Sequence, residues 1–328
     1  MNKKFNALLV GSGIAAFGMS VAWIASHVAT KTMVNAALDR ELPEFIKKKM
    51  FFDFEKDDEL MHSLKLKAEK LKNSVSHTVE IQSHDNEKLV GHWKRNDNEK
   101  RIIIAMHGWR SSWLRDFCAI SEFWEDSGCS VLYAEQRGQG SSGGDYMGFG
   151  MIERYDCLDW IKWVTNHNTN NVPVYLAGIS MGASTVLMAS GFELPECVCG
   201  IIADCGFTSA KAIWKHVAQK NMHLPYNIHS KQIEDWCKRK INLSTEYYTT
   251  FDALKNNKIP ILFVHGTDDG FVPIDMTYEN YKMCIAPKTL LVVPGADHAM
   301  SYIVDKAAYE STVLHFWQQN DKFFPTNI

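Results

Sequence analysis

A chain of 328 residues, 46% of them hydrophobic and 22% charged, can hold one large domain with additions and excludes a disordered or low-complexity protein. The formal net charge is −3, and the longest basic run is Lys47-Lys48-Lys49, which argues against a nucleic-acid partner. Eight cysteines, at 118, 129, 157, 197, 199, 205, 237 and 284, read as small buried hydrophobes suited to a reducing compartment. Cys197-x-Cys199 has no second close pair and no ligand-spaced histidine, so zinc is not expected.

From Phe5 to Thr30 the chain carries no Lys, Arg, Asp or Glu. As a helix rising about 1.5 Å per residue this stretch would span roughly 39 Å, more than the ~30 Å hydrocarbon core of a bilayer. Lys3 and Lys4 precede it, as in a secretory signal, but it is longer than a signal core and no A-x-A site follows. Residues 1–30 are therefore predicted to be an uncleaved, single-pass transmembrane anchor, with a buried core helix as the alternative. The two indications of its orientation disagree. Lys31, Arg40 and Lys47 to Lys49 favour a cytoplasmic domain, whereas the signal-like start favours export.

Residues 31–75 are predicted to be a helical connector, with Leu60, Leu64 and Leu71 at near-helical spacing inside a Glu- and Lys-rich stretch. Residues 76–328 then alternate strand and helix. Thr78 to Ser83 and Lys88 to Lys94 flank Asp85-Asn86 as a hairpin. Arg101 to Met106 is a short apolar run typical of a buried strand, with further strands near 129–134, 173–177, 200–204, 260–264 and 288–293. Helices are expected near 112–126, 150–167 and 181–190. The fold class is α/β, with a mostly parallel sheet and helices on both faces. Residues 207–258 break the rhythm: they are rich in aromatics, including Trp214, Tyr226, Trp236 and Tyr248, and read as a helical cap insertion over a site.

The chemistry is concentrated at the ends of predicted strands. Gly178-Ile179-Ser180-Met181-Gly182 fits G-x-S-x-G between a strand and a helix, where a sharp turn exposes the serine Oγ and only small neighbours fit. His265-Gly266-Thr267-Asp268-Asp269 follows the next-to-last strand, and Ala296-Asp297-His298 the last. The order Ser180, Asp269, His298 is that of a hydrolase triad. Asp268, Asp204 and Asp297 are rival carboxylates. Met106-His107-Gly108-Trp109 closes the strand from Arg101, so the backbone N–H groups of Trp109 and Met181 are candidates for an oxyanion hole.

Together these motifs resemble the α/β-hydrolase superfamily over about residues 76–328. The narrower likeness is to bacterial serine aminopeptidase-like and Bem46-like hydrolases, some with a membrane-anchored amino terminus. It is carried by HGW at 107–109, QRGQGSSGG at 136–144, GISMGA at 178–183, ADCGF at 203–207, HGTDDGFVP at 265–273 and ADHAMSY at 296–302. The H-G-x-x-D-x-x-V-P pattern of the family selects Asp269 as the acid. Glu135 stands where relatives usually carry Asp and reads as a structural partner of the Arg137 turn. The resemblance implies a serine hydrolase that needs no metal or organic cofactor and acts on a small acyl substrate. The first expectation is a carboxylesterase or lipid-directed esterase, favoured by the aromatic cap and the anchor. The alternatives are a peptidase on short peptides and a catalytically silent anchored binding protein. A peptidase would need acids to grip the substrate amine, a part open to Glu234 and Asp235, although these two read first as a solvated helix face.

Overall fold

The computed structural model describes residues 26–42, 58–221 and 225–321. Residues 1–25, most of the expected anchor, lie outside the described residues, and among those described no helix is long and apolar enough to cross a membrane.

Eight strands form one sheet: β1 (His77–Gln82), β2 (Lys88–Lys94), β3 (Arg101–Met106), β4 (Cys129–Glu135), β5 (Val174–Ile179), β6 (Val198–Asp204), β7 (Ile261–Gly266) and β8 (Lys288–Val293). Their order is β1-β2-β4-β3-β5-β6-β7-β8. The β1–β2 and β2–β4 pairings are antiparallel and those from β4 to β8 are parallel. The α/β class and mostly parallel sheet expected from the sequence are found.

Side chains alternate across a strand, so one apolar run supplies two cores. In β3, Ile102, Ile104 and Met106 face one layer, with Trp160 and Val164 of the helix Glu153–His167 and Val186 of the helix Met181–Ala189. Ile103 and Ala105 face the other, with Phe117, Phe316 and Trp317. This double burial explains why the strands read as continuous hydrophobic runs.

Part of the expected connector belongs to the domain. The helix Asp58–Ser74 buries Leu71 in the second layer, and Lys67 and Lys70 pair with Glu122. The helix over residues 26–38 buries Val34 and Leu38 in a third cluster, shared with Trp214, Ile233 and Cys237 of the cap. The cap comprises the helices Ala210–His216, Tyr226–Ile241 and Thr250–Leu254, with a π-helical turn at Val217–Asn221.

Glu135 is a partner of the Arg137 turn, as expected: it accepts the Ser141 N–H within that turn and stands 2.7 Å from His92 Nε2. The Arg137 guanidinium itself spans Asp156 and Asp85, with Nε 2.6 Å from Asp156 and Nη1 2.8 Å from Asp85.

An ion pair ties the start of β3 to the residue that follows the helix Lys306–Asn320. Arg101, which opens β3, places Nε 3.0 and 3.1 Å from the two carboxylate oxygens of Asp321. Its guanidinium also lies 4.7 Å from the Trp317 ring centre, and Tyr175 donates to Asp321 at 2.9 Å. Asp321→Ala would leave a half-buried guanidinium and a buried phenol without their acceptor, so stability should fall by about 3 kcal/mol. Urea denaturation measures this, and a loss of only a few tenths would show that solvent replaces the carboxylate.

Candidate active site

Ser180 occupies the turn between β5 and the helix Met181–Ala189, with φ 56° and ψ −118°. This backbone is strained for any residue with a β-carbon, by roughly 1–3 kcal/mol, and must be held by its surroundings. The neighbours allow it. A β-carbon on Gly182 would lie 1.8 Å from the Met106 carbonyl oxygen, and one on Gly178 would lie 2.3 Å from the Gly182 carbonyl carbon. Both G positions of the motif are therefore steric requirements.

The structure brings Ser180, His298 and Asp269 together from three strand ends. Ser180 Oγ lies 2.9 Å from His298 Nε2, and His298 Nδ1 lies 2.7 Å from Asp269 Oδ2. With Nδ1–H donating to the carboxylate, Nε2 is left to accept the serine proton. The Asp269 side chain is fully buried, while 23% of the His298 side chain is exposed.

Asp269 remains a carboxylate despite this burial. Burial alone would raise its pKa, but the His265 and His298 N–H donors, the charge of His298 and the Val272 N–H outweigh it and hold the carboxyl far below the usual range. Oδ1 accepts from Phe271 N–H at 2.9 Å and Val272 N–H at 2.8 Å. His265 Nε2 approaches Oδ2 at 3.1 Å, with Nδ1 2.6 Å from Thr277 Oγ1. Sequence reading left His265 without a role, although its motif spacing pointed to it.

The rival carboxylates have other partners. Asp268 accepts from Thr267, and Asp297 accepts the backbone N–H groups of Gly270 and His298. Asp204 ends β6 beneath the site and accepts from Ser301 at 3.2 Å. Cys205 lies close to both Asp269 and His298. Burial pushes its thiol pKa far up, so it is a neutral neighbour.

Both residues expected to supply oxyanion donors lie in turns next to the serine. Met181 is the first residue of its helix, so its N–H has no intrahelical acceptor. Trp109 lies in the turn after β3, and a β-carbon on the preceding Gly108 would lie 3.3 Å from Ser180 Cβ. That turn is held by Asp116, which carried no motif, and by Gln136, which opens the 136–144 motif. Asp116 accepts from Gly108 N–H at 2.7 Å and from the Ser111 hydroxyl, while Gln136 donates its amide N–H to the His107 carbonyl. His107 is buried and structural: Nε2 accepts Gln136 N–H at 3.1 Å, leaving Nδ1–H for Gly108 O.

The surrounding wall is aromatic. The Phe271 ring lies 5.1 Å from the His298 ring, and Trp109 stacks parallel to Phe271 at 6.4 Å and meets Phe149 at a tilt at 6.1 Å. Phe149 meets Trp214 of the cap edge-on at 5.2 Å. Of the two cap carboxylates, Asp235 lies on a solvated helix face as expected, and Glu234 is engaged within the cap, where it accepts Thr245 N–H and its hydroxyl.

The model of the prolyl oligopeptidase family matches residues 115–322. The chain belongs to the prolyl oligopeptidase family. An uncharacterized Bacillus subtilis (strain 168) protein, YqkD, is 26% identical over 225 residues, 69% of this chain and 73% of that protein. A non-heme chloroperoxidase, CPO-A1 of Kitasatospora aureofaciens, is 38% identical over 71 residues, 21% of this chain. Among solved structures, the Pyrococcus furiosus esterase Pf2001 superposes with a TM-score of 0.63 at 24% identity, covering 76% of this chain and 93% of that one. Est1E from Butyrivibrio proteoclasticus does so at 0.56 and 18%, covering 74% and 100%. These likenesses show the α/β-hydrolase fold, and family and fold make the chain a serine hydrolase.

Asp204 gives the site a pH signature. Burial pushes its carboxyl up to about 6, against the pull of His265 and Ser301. Between about pH 4 and 6 the unfolded chain releases a proton that the native state keeps, so this residue costs stability as pH rises, fully above 6. Asparagine carries no such cost. The stability of Asp204→Asn relative to the parent should rise by on the order of 3 kcal/mol from pH 4 to pH 8. Denaturation curves at both pH values measure this, and an unchanged difference would refute a buried, proton-holding Asp204.

Proposed function

We propose that this protein hydrolyses carboxylic esters with apolar acyl groups through a covalent acyl-enzyme on Ser180. The observation that carries the reading is the continuous hydrogen-bonded line from Ser180 Oγ through His298 to Asp269. His298 Nε2 takes the serine proton as Oγ attacks the acyl carbon, and Asp269 stabilises the imidazolium that results. The Trp109 and Met181 N–H groups receive the oxyanion, each donor worth roughly 3–4 kcal/mol. Collapse of the intermediate expels the alkoxide, which takes the proton back from His298. Water then repeats the cycle and frees the acid. Every step uses side chains and backbone of this chain.

The aromatic wall of Trp109, Phe149 and Phe271 supports an apolar acyl group, as does the likeness in fold to named esterases. Family membership favours a second reading, a peptidase on short peptides. The engagement of Glu234 by Thr245 weighs against its use as an amine grip. A silent binding protein has nothing in the site geometry to favour it. Fluorophosphonate labelling, followed by acyl esters of graded length and aminoacyl amides, separates the three.

Ser180→Ala should abolish covalent labelling and nearly all ester turnover. Asp269→Asn should lower kcat by about 10⁴ with the fold intact, because the amide favours the wrong imidazole tautomer, and Asp268→Asn should cost far less. Labelling retained at full stoichiometry in Ser180→Ala would refute the nucleophile.

Residues 1–30 are proposed as a membrane anchor on the strength of their charge-free length. The full chain should sediment with membranes and resist extraction by high salt and carbonate. Recovery of the intact, uncleaved protein in the soluble fraction would overturn the anchor.

A further inference from the structure

The turn that carries the Trp109 N–H is gripped from opposite sides by unrelated parts of the chain. Asp116 and Gln136, within the hydrolase domain, fix His107, Gly108 and Ser111. The side chains of Trp109 and Arg110 reach the other way, to backbone carbonyls some seventy residues earlier. Trp109 Nε1 donates to Ala37 O at 2.9 Å. Arg110 donates from Nε and Nη2 to Ala36 O at 3.1 and 2.9 Å, from Nη1 to Arg40 O at 3.2 Å, and from Nη2 to Asp39 O.

These acceptors are the unsatisfied carbonyls at the C-terminal end of the helix over residues 26–38 and just beyond it. A guanidinium is the side chain suited to the place, having five donors in a planar fork and a charge that favours a helix C-terminus. The site is desolvated enough to push the Arg110 pKa down to about 10. Arg110 also holds a left-handed backbone, φ 50°, so its turn is strained and needs external support.

The acceptor segment is itself held firmly. Arg40 donates to Ser142 O and Gly140 O, each at 2.6 Å, and Asp39 pairs with Lys240 of the cap at 2.5 Å. Met147 N–H donates to Leu38 O at 2.7 Å.

We propose that residues 36–40 are a strap that positions the oxyanion turn, and that Arg110 is the positioning residue through which they act. The proposal rests on the reading of Ser180 as nucleophile and Trp109 N–H as oxyanion donor. The strap gives the amino-terminal segment a part in the reaction, beyond any part in tethering. Its contribution belongs to the transition state, because the donor it aims meets a full negative charge only in the tetrahedral intermediate.

The test uses the full chain and 4-nitrophenyl butyrate. Arg110→Asn keeps a residue tolerant of left-handed φ but removes the fork, and Arg110→Lys keeps the charge but cannot bridge three carbonyls. Both should lower kcat about 10- to 100-fold with KM changed by no more than about twofold, the pattern of a lost transition-state interaction. Binding of a trifluoromethyl ketone, whose adduct carries the oxyanion, should weaken in step. Trp109→Phe removes one hydrogen bond and keeps the ring packing, so it should lower kcat by a smaller factor, about three- to tenfold. That variant decides the matter if the Arg110 substitutions fail to fold. Unchanged kcat in a folded Arg110→Asn or in Trp109→Phe would overturn the strap. So would a rise in KM at constant kcat, which would place Arg110 in substrate binding. Parent protein that takes no fluorophosphonate on Ser180 would instead refute the nucleophile on which the strap depends.

Discussion

Backbone meets backbone where the helix after Ser180 crosses the end of β3, and the architecture of the site follows from that contact. Gly182 leaves no room for a side chain against the Met106 carbonyl. The approach puts the last residue of β3 beside the Ser180 turn, and Gly108 of the following turn comes up against Ser180. One steric condition therefore serves two ends. It pins the strained Ser180 backbone, and it brings the turn that carries the proposed Trp109 donor next to the serine.

The rest of the site is layered around a single carboxylate. Asp269 is buried, yet four N–H donors, from two histidines and two backbone amides, keep it ionised. A buried carboxylate so fully satisfied does not need His298 to be charged in the resting state. It can hold the neutral imidazole in its working tautomer and still stabilise the imidazolium when it forms. His265 contributes by fixing the same oxygen that faces His298, and Thr277 in turn orients His265.

Much of this was legible in the sequence, for physical reasons. Strands buried on both faces leave uninterrupted apolar runs, so β3 to β8 could be placed within a residue or two. The G-x-S-x-G elbow and the acid-bearing turn after β7 are local steric and capping devices whose residues are neighbours in the chain. What could not be read depends on distant partners. Nothing around Arg137 shows that its guanidinium will pair with Asp85 and Asp156. Glu234 looks like a free cap acid until Thr245 folds back onto it. Arg110 sits in a motif-bearing turn, but its acceptors are backbone carbonyls, which have no sequence signature at all. The helical reading of residues 31–75 likewise did not show that their first part lies against the cap.

The clamp between Arg101 and Asp321 also governs the order in which this protein can come into being. The two residues are 220 apart in the chain, and at synthesis rates of about 5–20 residues per second the arginine waits roughly 11–44 s for its acceptor. Ser180 waits on the order of 6–24 s for His298, 118 residues later. During that interval a folded amino-terminal half would present the elbow without the histidine proposed as its base. On the proposed mechanism, a chain released before His298 is made would be inert, and without Asp321 it would lack the clamp as well.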